Sequence, residues 1–143
     1  MDRLWKAPGH VSSGLVTRLI LVRHAEAAPG SPDESRALTP TGYEQARSLG
    51  ERLRAEGLEP DAILSSPLLR ARQTAAELGL GEVAADDRLA PGATADGVRE
   101  AADARGELVL VVGHQPDCSE IAAALGAGER SFAPAGFALL ELP

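Results

Sequence analysis

The stretch LILVRHAEA, Leu19 to Ala27, decides the fold of this chain. With Thr17 and Arg18 ahead of it, its first half is a continuous β-branched and aliphatic run, the pattern of a strand covered on both faces. A guanidinium and an imidazole then stand side by side, Arg23 and His24. Strands buried on both faces belong to largely parallel sheets, whose ligands bind beyond the carboxyl ends of the strands. Arg23 and His24 occupy such an end.

The alternation of strand and helix continues outward from there. A strand is expected over Thr17–Val22, followed by a polar loop over residues 24–38 with Pro29, Gly30 and Pro32. Thr39-Pro40 opens a helix, with proline at its first position. Thr41 and Glu44 fit a capping box. Ala46, Leu49, Gly50 and Leu53 share one face, and Gly57 ends the helix. DAILS, Asp61–Ser65, reads as a second strand, and Ser66-Pro67 as the start of a helix reaching about Leu78. Glu82–Ala85 gives a short third strand. Pro91 and Gly92 mark a loop before a helix from about Thr94 to Arg105. LVLVV, residues 108–112, is the most apolar strand. Pro116 begins another helix, ending near Gly126, and GFALLEL, residues 136–142, closes the chain as a strand. This order predicts an α/β three-layer sandwich with a largely parallel central sheet flanked by helices. Residues 1–16 lack periodicity and are expected to form an irregular N-terminal extension, packing in part through Leu4 and Trp5. Residues 17–143 form a single domain.

Composition excludes several classes. At 143 residues, with 44% apolar and 24% charged, the chain suits one globular domain. A net charge of −7 opposes nucleic-acid binding, which needs a basic face. A single cysteine, Cys118, allows neither an internal disulfide nor a cysteine-built metal site; it reads as a small core residue. No apolar run approaches the ~20 residues of a membrane span. The N-terminal residues do not resemble a signal peptide. The expectation is a cytoplasmic protein.

Four polar residues fall at the strand ends: Arg23, His24, Arg70 and His114. Two arginines suit an oxyanion, since a planar guanidinium donates two parallel hydrogen bonds. The helices opened by Ser66-Pro67 and Gln115-Pro116 are expected to add positive N-termini at the same rim. An imidazole held close to phosphorus can be a nucleophile, with the cations stabilising the transferring group. Such chemistry needs neither metal nor cofactor, and no cluster of acidic residues accompanies the histidines.

The motifs carrying these residues resemble those of the histidine phosphatase superfamily, the phosphoglycerate mutase-like group. LVRHAEA is similar to its Arg-His-Gly signature, with Ala25 in place of the glycine. RALTPTGYEQA, residues 36–46, SSPLLRARQTA, residues 65–75, and VLVVGHQP, residues 109–116, match three further segments in order and spacing. The resemblance implies His24 as the nucleophile that becomes phosphorylated, Arg23 and Arg70 as the phosphate clamp, and His114 as a donor to a phosphate oxygen. Glu26 and Arg36 are candidate substrate contacts, Glu26 also fitting a solvated loop carboxylate and Arg36 a loop anchor. Ester-cleaving members carry a Leu-x-Glu acid after the third strand; here RLAPG puts Pro91 in that place. Loss of an acid costs about 10²–10⁴-fold on an ester, but an imidazole leaves far more readily. Short length and this proline resemble SixA-type phosphohistidine phosphatases. The expected substrate is therefore phosphohistidine on a protein, for instance a histidine-containing phosphotransfer protein. The alternatives are a small-molecule phosphomonoesterase using Asp86, Asp87 or Glu26 as acid, and a non-catalytic phosphate-binding module. Asp117 and Ser119 read as ordinary first-turn residues.

Overall fold

The computed structural model describes residues 15–143. Arg18–Arg23 form β1, which pairs in parallel with β4, Leu108–Gly113, and antiparallel with β5, Phe137–Glu141. β2, Ala62–Ser65, lies on the far side of β4, and β3, Val83–Ala85, on the far side of β2. The sheet order is β3-β2-β4-β1-β5, parallel apart from β5.

Alternation along the strands divides the core in two. Leu19, Leu21, Val109 and Val111 face one side, against Val98 and Ala101 of α3, Ala95–Ala102, and Ile121 and Ala122 of α4, Asp117–Ala124. Ile20, Val22, Leu110 and Val112 face the other, against Leu49 and Leu53 of α1, Pro40–Ala55, and Ala71 and Ala75 of α2, Leu69–Glu77. A period-two strand with both faces apolar can be satisfied only by helices on each side. The result is the predicted three-layer α/β sandwich. The switch of face follows from topology. β1, β2 and β3 advance toward one edge of the sheet, and the chain then turns back to β4, so right-handed crossovers put the later helices on the opposite face.

Two expected boundaries moved, and α1, which opens at Thr39-Pro40 as expected, uses a different cap. The cap of α1 is Thr39, whose hydroxyl accepts the Gly42 N–H at 2.9 Å, so the capping box at Thr41 is not the one used. Pro40 at the first helical position fixes the residue before it in the extended region a cap requires. α2 begins at Leu69, not at Ser66-Pro67; the Ser66 hydroxyl accepts the Leu68 N–H at 3.2 Å ahead of the helix and also meets His114. α3 stops at Ala102, short of Arg105. Gly42 is required where it stands, since a Cβ there would collide with the Glu26 carbonyl oxygen.

Residues 1–14 of the expected extension, Leu4 and Trp5 among them, lie outside the described residues. Val16 is buried, and its N–H donates to the Asp103 carboxylate at 2.9 Å. Among the described residues, no helix is long and apolar enough to cross a membrane.

Candidate active site

Register brings the two histidines together. Arg23 of β1 is paired with Gly113 of β4, so the next residue on each strand is a histidine. The His24 N–H donates to the Gly113 carbonyl at 3.0 Å, and the two imidazole centroids lie 5.2 Å apart with planes tilted by 59°. On the other flank of β4, Ser65 is paired with Val112, which puts Ser66 beside His114. The Ser66 Oγ lies 2.8 Å from His114 Nε2.

His24 presents one particular nitrogen. Its Nδ1 is 2.7 Å from the Ala25 carbonyl oxygen, which can only accept. Nδ1 therefore carries the proton, and the lone pair is on Nε2. Burial, reinforced by the Arg70, Arg23 and Arg36 charges and opposed by the Ala25 hydrogen bond, holds the His24 pKa down to about 4. The imidazole is neutral at pH 7, as a nucleophile must be. His114, 4% exposed, is likewise held down to about 4, mainly by burial, then by the cost of a second charge beside the His24 ring and by the Arg70 guanidinium, with Asp33 opposing.

The backbone around His24 is held by side chains from distant elements. The Thr74 hydroxyl accepts the Ala25 N–H at 2.9 Å and donates to the Arg70 carbonyl at 2.8 Å. The Gln45 and Gln73 side-chain oxygens accept the N–H groups of Glu26 and Leu38, at 2.9 and 2.8 Å. Arg23 lies against the turn before β5, where it donates to the Phe132 carbonyl at 2.9 Å. Sequence reading missed these anchors individually, although Thr74, Gln73 and Gln45 sit inside the motifs that carry the catalytic candidates.

Among the described residues, three buried nitrogens have no partner: Arg23 Nε, Arg70 Nε and His114 Nδ1. Each can be an N–H donor, and buried donors are rarely left unpaired without a ligand. All belong to residues whose charges or rings act on His24. The arrangement offers unpartnered donors that can receive an oxyanion, with an uncharged imidazole beside them. Among the described residues, no group of three or more His, Cys, Asp or Glu side chains comes together to hold a metal ion.

The remaining candidates divide. Arg36 donates from Nε to the Ala28 carbonyl at 2.8 Å and from Nη1 to Asp33 at 3.0 Å, both within its own loop. The Glu26 carboxylate accepts the Thr39 hydroxyl proton at 3.0 Å, tying the loop to the α1 cap. Asp86 is gripped by both Nε and Nη2 of Arg88, at 3.0 and 2.8 Å, and this pairing holds its carboxyl below the usual range. Asp87 is exposed and lines a cavity of about 300 Å³ with Pro91. Asp117 is not an ordinary first-turn residue: it is buried, and its carboxylate accepts the Gly92 N–H at 2.8 Å, fastening the Pro91 loop to the helix after His114. α2 begins three residues later than expected, and no side chain caps its N-terminus. The Gln115 side chain accepts the Ser119 N–H at 2.9 Å, inside α4.

Comparison with known proteins adds independent findings. The sequence profile of the histidine phosphatase superfamily, branch 1, matches residues 19–91. An uncharacterized protein of Picosynechococcus sp. is 37% identical over 125 residues, covering 78% of this chain and 74% of its own length. A SixA structure from Agrobacterium tumefaciens superposes with a TM-score of 0.76 at 27% identity, covering 88% of this chain and 92% of that one. The protein histidine phosphatase SixA in complex with tungstate superposes with a TM-score of 0.73 at 26% identity, covering 85% and 86%.

Proposed function

The chain belongs to the histidine phosphatase superfamily and is a phosphatase; on that premise we propose that it works through a phosphohistidine on His24 and that its substrate is phosphohistidine carried by a cytoplasmic protein. The observation that carries the reading is the set of three unpartnered buried nitrogens around a neutral imidazole. A tetrahedral dianion has acceptors enough for three such donors, and the tungstate bound in one SixA structure is a tetrahedral oxyanion.

In the first step the His24 Nε2 lone pair forms a bond to phosphorus. The substrate imidazole is protonated on its other ring nitrogen; its bond to phosphorus breaks with the electron pair staying on the departing nitrogen, so neutral imidazole leaves. Arg23, Arg70 and His114 hold the equatorial oxygens, where the charge spreads in the transition state. In the second step water attacks the phosphoryl group. The His24 N–P bond breaks with its pair returning to Nε2, and the water proton ends on phosphate or solvent.

The leaving group selects the substrate. Pro91 has no proton to give, and Asp86 is held ionised by Arg88. The Glu26 carboxylate is directed to Thr39. An alkoxide leaving without a proton is strongly disfavoured, whereas an imidazole, whose conjugate acid has a pKa of about 6.5, departs readily. A histidine-containing phosphotransfer protein has the chemistry this site accepts. Exposed Asp87, beside Pro91, is the one observation favouring the phosphomonoesterase alternative.

The test compares phosphate release from a phosphohistidyl protein, a phosphoserine peptide and sugar phosphates, in EDTA throughout. The N–P substrate is expected to be faster by about 10²-fold or more, and His24→Ala to abolish turnover of all. Equal or faster ester cleavage would transfer the assignment to a phosphomonoesterase. Full activity in His24→Ala would remove the covalent mechanism.

A further inference from the structure

The loop between β1 and α1 carries a residue with no assigned role. Asp33 opens a short 3-10 turn, Asp33–Ser35, and stands over the phosphate clamp. Its Oδ2 accepts from Arg70 Nη2 at 3.1 Å, and its backbone carbonyl accepts from Arg70 Nη1 at 2.9 Å. Its other carboxylate oxygen, Oδ1, accepts from Arg36 Nη1 at 3.0 Å. One residue thus joins two guanidinium groups. Arg36 is anchored in turn through Nε to the Ala28 carbonyl at 2.8 Å. The Arg70 side chain is 7% exposed and that of Asp33 is 59% exposed, so a surface carboxylate holds a buried cation.

A guanidinium has two usable edges. Asp33 takes the end edge, formed by Nη1 and Nη2. The side edge, formed by Nε–H and the second proton of the adjacent Nη, is left for another acceptor. Arg70 Nε is one of the three buried nitrogens without a partner. The fork is flat, so fixing the end edge fixes the direction of the side edge.

We propose that Asp33 is the positioning residue of the phosphate clamp, holding the end edge of Arg70 and coupling it to Arg36 so that the side edge of Arg70 is aimed at the phosphoryl oxygens. This rests on the reading of His24 as the attacking group. The opposite role is a plug: a carboxylate that occupies the arginines until substrate displaces it. The two predict opposite signs. Removal of a positioning group weakens binding of the transition state more than binding of the ground state. Removal of a plug tightens binding of any anion.

The experiment measures inhibition by orthovanadate, which adopts the five-coordinate geometry of the transition state, and by inorganic phosphate. Wild type, Asp33→Ala, the isosteric Asp33→Asn and His24→Ala are compared with one phosphorylated substrate, and the fold of each is checked by thermal melting. Asp33→Ala is expected to weaken vanadate by about 30- to 100-fold, the scale of a misplaced positioning group. Phosphate should weaken less than fivefold, and Asp33→Asn, which keeps the backbone acceptor and one side-chain oxygen, should fall between. Tighter phosphate binding in Asp33→Ala, unchanged vanadate inhibition, or equal losses for the two anions would overturn the proposal. If Asp33→Ala does not fold, Asp33→Asn decides by the same comparison. Turnover surviving in His24→Ala would instead defeat the underlying reading, whatever the Asp33 variants do.

Discussion

Around His24 nearly every group is held, whereas in the loop after β3 Asp86 is taken up by Arg88 and Asp87 is exposed. On the nucleophile side, the Ala25 carbonyl fixes the imidazole, Thr74 fixes Ala25, Ser66 meets His114 and Asp33 meets Arg70. On the leaving-group side, Asp86 is consumed by Arg88, and Pro91 precedes a glycine tethered to Asp117. The contrast shows where rate acceleration is built. On the proposed reading, the His24 side holds and attacks a phosphoryl group, and the loop after β3 provides little to protonate what departs. Such an arrangement suits a leaving group that needs no proton from the protein. Each change below breaks one side or builds up the other.

The largest effect is expected at Ser66. Its Oγ accepts the Leu68 N–H at 3.2 Å, so its own proton is free to go to His114 Nε2. The imidazole then carries its proton on Nδ1, the nitrogen that is buried and unpartnered. Ser66→Ala releases that tautomer, and kcat/KM should fall about 30-fold, toward the cost of losing one oriented donor. Nitrogen chemical shifts of the His114 ring report the tautomer directly. Unchanged shifts with unchanged rate would remove Ser66 from the site.

A smaller, opposite effect is expected from adding an acid. Pro91→Glu should raise phosphoserine or sugar phosphate turnover about tenfold, only part of what a well-placed acid supplies. Turnover of the N–P substrate should stay within about threefold. Loss on the N–P substrate with no gain on esters would put the leaving group elsewhere on the rim.

These residues also mark what a sequence makes legible. The apolar runs of β1 and β4 must be covered on both faces, so layers, parallel sheet and the rim holding Arg23, His24, Arg70 and His114 could be read from pattern alone. Register could not: that Arg23 pairs with Gly113, and so sets His24 beside His114, depends on how two distant strands align. Asp33 was invisible for a related reason. It lies in a polar loop without periodicity, 37 residues from Arg70, and nothing local marks a carboxylate that will meet a distant guanidinium. Asp117 looked like a first-turn acid because that position favours acids anyway; its bond to Gly92 is a tertiary fact. Ser66-Pro67 looked like a helix start because serine followed by proline suits a cap, and no local pattern shows that the hydroxyl also meets His114.

The smallest effect is a slope in stability against pH. His24 and His114 in the folded chain protonate near pH 4, against an ordinary value of 6.5. As pH falls from 6.5 toward 4, the unfolded chain takes up protons that the folded chain refuses, so the histidines make stability fall on acidification. Asp33 and Asp86 act later. Their pKa values are lowered from 3.8, so their stabilising contribution is retained through this window and is lost only below it. A chain of net charge −7 also loses self-repulsion as it is acidified, which acts in the other direction. The difference between wild type and His114→Gln removes that shared background. Between pH 6.5 and 5, the melting temperature of wild type should decline more steeply than that of His114→Gln. Inorganic phosphate should flatten the wild-type slope, because a bound dianion favours the imidazolium forms. Parallel melting curves for the two proteins would mean that His114 titrates as an exposed histidine does. The donor side of the comparison would then lose its neutral, oriented imidazole.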